Sequence, residues 1–330
     1  MKGAYQTDVN PNDVVILRNN AVLDEGSNSD VYHYNNMLNY IEKNGLEQDG
    51  HFNYIQTQMD IENFRDYFAV QMYFANTDWP HGNIRYWRKK TDYYEENAPY
   101  GQDGRWRWML FDTDHGFNSF RDSIGDTGYV LDHTHNTIEW LLDESRGEDS
   151  NGPWSTFLFR KVISNESFKN DFLNRMNDLM NTIFLEEEVN EKIDELMSNI
   201  ENEMPHHINR WGVIPSINDW VEKIEDQREF AQERPNYMRT HLMNEFDIEN
   251  TYNITVNNES EMGDIRKKFA IPDDTLRGIG GWKSKAYLMN RLEMTLIEYL
   301  SILISKTKRI CNPVPTVLVL ASNAKIFWFI

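Results

Sequence analysis

Cysteine is almost absent from this sequence of 330 residues, because Cys311 is the only one. A single thiol forms neither an internal disulfide nor a zinc site made of several cysteines, so both ways of stabilising a fold are excluded. Long apolar runs are also missing, since no stretch of about eighteen uncharged apolar residues occurs, and we expect no membrane insertion. The opening stretch MKGAYQTDVN lacks the apolar segment of a signal peptide.

Positive charge is scarce as well. Lys and Arg number 33 against 53 Asp and Glu, which gives a net charge of −20 and an isoelectric point near 4.8. Such a chain repels the phosphate backbone of nucleic acid, so we expect no nucleic-acid partner. The charge suits either a solubilising surface or the attraction of a basic, Ser-rich protein substrate, and both readings stay open.

Aromatic residues are abundant and predict a packed core. The clearest element is a helix that begins after the N-cap Asp60 and leads to Asp78. Apolar side chains cover almost its whole circumference, which is typical of a buried helix. Because Pro80 prevents the helix from continuing, we expect Asp78 to be delivered from the core to the mouth of a cleft.

Two strands are predicted next, at residues 83–90 and 105–112, with a surface loop between them. If they pair antiparallel, Asn83 and Asp112 lie at the same end of the hairpin, where Asp78 can join them. Trp106 and Trp108 lie on one face of the second strand and are predicted to be core residues.

The remaining chain is predicted to be mainly helical up to about residue 246. Asp30 is interpreted as the N-cap of a helix that runs to about Lys43. Asp132–His135 is interpreted as a solvated loop or helix cap rather than a metal site, and Pro205 and Gly212 as helix breaks. Further helices are predicted at Thr137–Asp143, Pro153–Ser164, Glu166–Phe184, Leu185–Arg210 and Ile217–Phe246.

An Asp followed five residues later by Asn is a weak motif by itself. Four pairs have this spacing: Asp30/Asn35, Asp78/Asn83, Asp92/Asn97 and Asp194/Asn199. Asp78/Asn83 differs in its context, because a buried helix precedes it and a hairpin ending in Asp112-Thr-Asp114-His-Gly-Phe follows it.

Protein kinases use this set of parts. A catalytic Asp accepts the proton of the substrate hydroxyl, an Asn five residues on binds one metal ion, and an Asp after a hairpin binds the metal ions that bridge the phosphates. In this sequence Asp78 would be the base, and Asn83, Asp112 and Asp114 would be the ligands. Which aspartate is the principal ligand is open. Oxygen ligands favour Mg²⁺ or Mn²⁺ over zinc, and His81 and His115 are interpreted as loop residues rather than ligands.

At these residues the sequence resembles the CotH kinase family of spore-coat and secreted atypical protein kinases. The resemblance is strongest over Asp60–Asn83 and over GRWRWMLFDTDHGF at 104–117, and it extends more weakly through 157–173 and 228–242. It implies phosphoryl transfer from ATP to Ser or Thr of a protein, dependent on Mg²⁺ or Mn²⁺. A spore-coat or cell-surface location is also implied.

The resemblance implies an α+β, protein-kinase-like fold, with a mainly helical C-lobe and a metal-site β-hairpin. We expect residues 1–29 to be a remnant of an upstream lobe or a linker, 30–248 to be the kinase C-lobe, and 249–330 to be a β-rich or irregular tail. A phosphate-binding lysine is expected upstream of a kinase active site. Since Lys2 is the only lysine before Asp30, the small lobe is expected to be missing and ATP binding by this chain to be weak.

Two other functions remain open. A catalytically inactive pseudokinase or coat scaffold would keep the fold without turnover, and the missing lysine favours it. A glycosyltransferase could bind manganese and a nucleotide sugar through Asp112-Thr113-Asp114, but the α/β domain that should precede such a motif is not evident.

Overall fold

The computed structural model describes residues 9–119, 131–144 and 153–249. The predicted C-terminal tail therefore lies outside the described residues from residue 250 onward. The described part is rich in helices and contains one small antiparallel sheet, which is an α+β fold. None of its helices is long and apolar enough to cross a membrane.

The sheet has four strands in the order β2-β1-β3-β4, and neighbouring strands are antiparallel. The strands are β1 Val14–Arg18, β2 Val22–Glu25, β3 Arg85–Lys89 and β4 Arg107–Met109. The described residues contain nine α-helices: α1 Asn28–Asn44, α2 Asp49–Gln56, α3 Ile61–Tyr73, α4 Thr137–Leu142, α5 Pro153–Ile163, α6 Glu166–Met180, α7 Glu186–Ser198, α8 Met204–Trp211 and α9 Ile217–Glu245.

The predicted hairpin is confirmed. In the β3–β4 pair, Arg85 lies opposite Met109 and Tyr86 lies opposite Trp108. The loops that carry Asn83 and Asp112 therefore leave the sheet at the same end. Trp106 and Trp108 are buried, as expected for core residues.

The N-cap of helix α1 differs from the predicted one, Asp30. The helix begins at Asn28 and its N-cap is Ser27, so Asp30 lies inside the first turn. Asp30 Oδ2 instead accepts hydrogen bonds from the backbone nitrogen of Ser27 at 2.9 Å and from its hydroxyl at 2.7 Å. This is the reciprocal arrangement of a capping box, in which an acidic residue three positions into the helix satisfies the N-cap.

Helix α3 is the centre of the core. Its predicted N-cap is confirmed, since Asp60 Oδ1 accepts a hydrogen bond from the backbone nitrogen of Asn63 at 3.1 Å. Every residue from Phe64 to Tyr73 except Asp66 is buried. The helix ends at Tyr73, however, so Asp78 lies in the loop that follows rather than at the helix end.

The helices after residue 136 follow the predicted pattern with one division. The segment predicted as Leu185–Arg210 forms two helices, α7 and α8, and Pro205 lies in the first turn of α8. Gly212 ends α8 in the left-handed conformation, with φ of 62°. Proline is well tolerated in the first turn of a helix, and glycine is favoured at the position just after the last turn. Both predicted breaks are therefore confirmed.

Candidate functional site

The loop after α3 is anchored by Trp79, which is completely buried. Its indole Nε1 donates a hydrogen bond to the hydroxyl of Tyr67 at 2.8 Å, and its ring packs against Phe68 with centroids 5.1 Å apart. Both partners belong to α3. The ends of the turn from Asp78 to Asn83 are thereby positioned by an aromatic residue in the core.

Asp78 and Asn83 are in direct contact across this turn. Asn83 Nδ2 lies 2.7 Å from Asp78 Oδ2 and 3.4 Å from the backbone oxygen of Asp78. Both of those oxygens accept hydrogen bonds, so only the amide nitrogen of Asn83 can face them. Among the described residues, Asn83 Oδ1 accepts no hydrogen bond, and it is available as a ligand.

The imidazole of His81 lies beside the same carboxylate. Its Nε2 is 3.8 Å from Asp78 Oδ1, which is too long for a hydrogen bond. Burial lowers the pKa of His81, the nearby His115 lowers it further, and the charge of Asp78 only partly offsets both. His81 is therefore mostly neutral at pH 7 and places no full positive charge beside the Asp78 carboxylate.

The segment after β4 returns alongside the loop that carries Asp78. The backbone nitrogen of Phe117 donates to the carbonyl of Phe74 at 3.0 Å, and Thr77 Oγ1 donates to the carbonyl of His115 at 3.5 Å. Asp112 and Asp114 lie in this segment, between the sheet and those contacts. The fold thus brings the two predicted halves of the site onto neighbouring loops.

Asn83 and Asp112 share an uncommon backbone conformation. Their φ angles are 52° and 53°, in the left-handed region that side chains other than glycine enter at a cost. Asn and Asp tolerate this region better than most residues, and such conformations concentrate at functional sites. Both residues that begin or end the hairpin at this edge are therefore held in turn geometry by the surrounding fold.

The residues at this edge match a magnesium site in the chemistry of their donors. Asn83, Asp112 and Asp114 offer amide and carboxylate oxygens, which hard divalent cations prefer. In the part of the chain that the structure describes, no three His, Cys, Asp or Glu side chains are grouped to hold a metal ion by themselves. Magnesium is usually bound by one or two carboxylates together with substrate phosphates and water, and this donor set fits that mode.

Arg234 on α9 is a residue of this region that the sequence reasoning missed. It is fully buried, and all of its described hydrogen-bond acceptors are uncharged oxygens. Its guanidinium donates to the carbonyls of Met72 and Tyr73 at the end of α3, to the carbonyls of His133 and His135, and to the hydroxyl of Thr137. Burial lowers its pKa to about 9, so it is still charged at neutral pH.

This arginine fastens the end of the central helix from which the Asp78 loop departs. The last carbonyls of a helix carry partial negative charge and lack partners within the helix, so a cation is favourable there. One signal in the sequence could have found it. Phe230, Arg234 and Met238 recur at four-residue spacing, so the arginine occupies a core position of an amphipathic helix.

The segment Asp132–His135 is a turn before α4, as predicted, but its two histidines are buried rather than solvated, which corrects that part of the prediction. His133 and His135 are buried, and their backbone carbonyls are the acceptors for Arg234. Burial, with Arg234 nearby, lowers the pKa of His135 to about 3. The segment ends at Asn136, the N-cap of α4, whose Oδ1 accepts from the backbone nitrogen of Glu139 at 3.2 Å.

The family model described as CotH kinase protein matches residues 10–238. No curated protein matches the chain. No solved structure matches it either.

Proposed function

The chain belongs to the CotH kinase family, and from this premise we propose that it transfers the γ-phosphoryl group of ATP to a Ser or Thr hydroxyl of a protein substrate. The family is one of kinases, which are transferases. We further propose a protein-kinase-like fold in which residues 30–248 form the mainly helical lobe. A spore-coat or cell-surface location belongs to the same proposal.

Asp78 is the proposed general base. In the transfer step its carboxylate accepts the proton of the attacking hydroxyl, a bond forms between that oxygen and the γ-phosphorus, and the bond to the β,γ-bridging oxygen breaks as ADP leaves. The lowered pKa of His81 supports this role, because a protonated histidine beside Asp78 would compete with the substrate hydroxyl for the carboxylate. Asn83 Nδ2 orients the carboxylate through Oδ2, and Oδ1 is left to receive the proton.

Asn83, Asp112 and Asp114 are the proposed ligands of Mg²⁺ or Mn²⁺. A divalent cation there would neutralise phosphate oxygens of ATP. The left-handed backbone at Asn83 and Asp112 supports the assignment, since such geometry concentrates where function over-determines the conformation.

The hydrogen bond between Asn83 Nδ2 and Asp78 Oδ2 carries the proposal most directly. It joins the proposed base to a proposed ligand and leaves one oxygen of each side chain for its own task. The other three Asp/Asn pairs of the same spacing have no such bond among the described contacts.

The proposal is tested by incubating the purified chain with Mg²⁺, a protein rich in Ser, Lys and Arg, and γ-labelled ATP at a concentration high enough to compensate for the weak ATP binding expected of this chain. We expect labelled Ser or Thr in the substrate. Asp78→Asn should lower the rate by roughly 10²–10⁴-fold, which is the usual contribution of a positioned base. Asp92→Asn is the matched control, because Asp92 has the same spacing to an Asn but lies in the exposed β3–β4 loop.

Other outcomes identify the competing functions. Metal-dependent ATP binding without transfer would indicate a pseudokinase or scaffold. Transfer of sugar from a nucleotide sugar, with no transfer from ATP, would indicate a glycosyltransferase. If the chain is a kinase, Ala variants of Asn83, Asp112 and Asp114 should weaken metal-dependent nucleotide binding. Binding as tight as that of the wild type in all three variants would contradict the ligand assignment.

A further inference from the structure

Two arginines lie directly opposite each other in the sheet, close to the proposed metal ligands. Arg18 at the end of β1 pairs with Arg85 at the start of β3, two residues after Asn83. Like charges directly opposite each other on neighbouring strands are destabilising. Such a pair needs a reason to persist at the edge of a sheet.

A single carboxylate lies between the two guanidiniums. Asp24 on β2 accepts a hydrogen bond from Arg18 Nε at 2.8 Å and lies 3.6 Å from Arg85 Nε. Two positive charges thus share one negative charge. In contrast, Arg105 and the buried Arg107 contact two carboxylates between them, Asp60 and Asp103.

The outer nitrogens of both arginines remain available. Among the described residues, neither Arg18 nor Arg85 has a further hydrogen-bond or ion-pair partner beyond Asp24, and their side chains are 45% and 33% exposed. Each guanidinium keeps a pair of terminal N–H groups, which is the geometry that recognises phosphate with two parallel hydrogen bonds.

Contacts on both sides fix this pair beside the site. The guanidinium carbon of Arg85 lies 4.0 Å from the ring centroid of Phe111, the residue before Asp112. The turn after Arg18 is held by Tyr86, whose hydroxyl donates to the carbonyl of Asn19 at 3.1 Å and accepts from the nitrogen of Ala21 at 3.0 Å. The pair is therefore a positioned feature of the sheet edge where Asn83 and Asp112 lie.

We propose that Arg18 and Arg85 form an anion site that binds the phosphates of a nucleoside triphosphate. This inference rests on the proposed function. A kinase needs positive charge that binds the phosphates, and the two arginines supply it in a chain where Lys2 is the only lysine before Asp30. A chain of net charge −20 repels a free triphosphate, so local uncompensated cations are needed where that anion binds.

The test uses inorganic triphosphate as the probe and the full chain, with calorimetry in the presence and absence of Mg²⁺. Arg18→Gln and Arg85→Gln should each weaken triphosphate binding by about tenfold or more, as expected for losing hydrogen bonds to a charged group. Arg210→Gln makes the same charge change on the exposed part of α8 and should leave binding nearly unchanged.

Two further variants keep the test decisive if a Gln variant unfolds. Arg85→Lys keeps the charge but loses the paired N–H groups, so triphosphate should bind with intermediate affinity. Asp24→Asn removes the competing carboxylate, so it should lower thermal stability and yet strengthen triphosphate binding. A loss of binding in Asp24→Asn at temperatures where it is folded would overturn the inference.

The outcomes separate this inference from the proposed function. Equal triphosphate affinity in the wild type and both Gln variants, or no binding by the wild type, overturns the anion site even if the chain is a kinase. If Arg18→Gln and Arg85→Gln weaken the binding of an acidic peptide but not that of triphosphate, the anion site is also overturned. The arginines are then assigned to the protein substrate. Arginine-dependent triphosphate binding without phosphoryl transfer supports the anion site and contradicts the proposed function.

Discussion

Asn83 Nδ2 lies 2.7 Å from Asp78 Oδ2, so the amide of one residue fixes the carboxylate of the other. The contact closes the six-residue turn from Asp78 to Asn83, which the buried Trp79 anchors in the core. It also forces the amide orientation, because a carboxylate offers only acceptors. Disturbing this contact should change the ionisation of Asp78 as well as its position.

We expect Asn83→Asp to move the acidic limb of the pH–rate profile to higher pH by about one to two units. The substitution places two carboxylates in contact, and like charges so close cannot both ionise freely. The measurement is kcat/KM of phosphoryl transfer between pH 5 and 9. Asn97→Asp, in the exposed loop, adds the same charge and should leave the profile in place; identical profiles for both variants would contradict the contact.

We expect Arg234→Lys to lower the free energy of unfolding by about 3 kcal/mol or more. Lysine has three donors on one atom and cannot reach the five acceptors that surround Arg234, so several buried oxygens lose a hydrogen-bond donor. Urea denaturation gives the measurement. Arg228→Lys is the control on the same helix, where a partly exposed arginine pairs with Asp194 and should cost under about 1 kcal/mol.

The stability of the protein should fall as the pH drops below about 6.5. The pKa of His135 is lowered from 6.5 to about 3 by burial, so below 6.5 the unfolded chain binds a proton that the folded chain does not. Stability therefore falls with decreasing pH between these two values, by up to about 1.4 kcal/mol per pH unit. Burial lowers the pKa values of His33 and His241 to about 4, which acts in the same direction.

Thermal unfolding between pH 7 and pH 4.5 measures this dependence. His135→Gln should flatten it, because the glutamine does not titrate. His206→Gln, at an exposed position of α8, should leave the slope unchanged. Equal slopes in the wild type and His135→Gln would show that this histidine does not contribute to the acid sensitivity.

A basic Ser-containing peptide should be phosphorylated with a lower KM than an acidic one at low salt. The net charge of −20 attracts the basic peptide, and salt screens that attraction. Rates for both peptides across about 0.05–0.5 M salt give the measurement. If the two peptides behave alike at every salt concentration, the acidic surface serves solubility alone.

The sequence alone determined the elements whose signals are local. Asp60 caps a helix because its carboxylate reaches a backbone nitrogen three residues on, and that pattern is visible in the chain. The β3–β4 hairpin followed from alternating residues on either side of a loop, so its antiparallel pairing was predictable. The shared end of Asn83 and Asp112 came directly from that pairing.

Other features depended on residues that are far apart in the chain. The pairing of β1 with β3 joins residues about seventy positions apart, and no local pattern specifies it. Arg234 meets Met72 and Tyr73 across 162 and 161 positions, so the same side chain could have been solvated on an isolated helix. The burial of His133 and His135 follows from that arginine, because their carbonyls satisfy a charge in the core. Local hydrogen bonds and periodicity specify the elements, whereas the partners of a buried charge are decided only when distant elements pack around it.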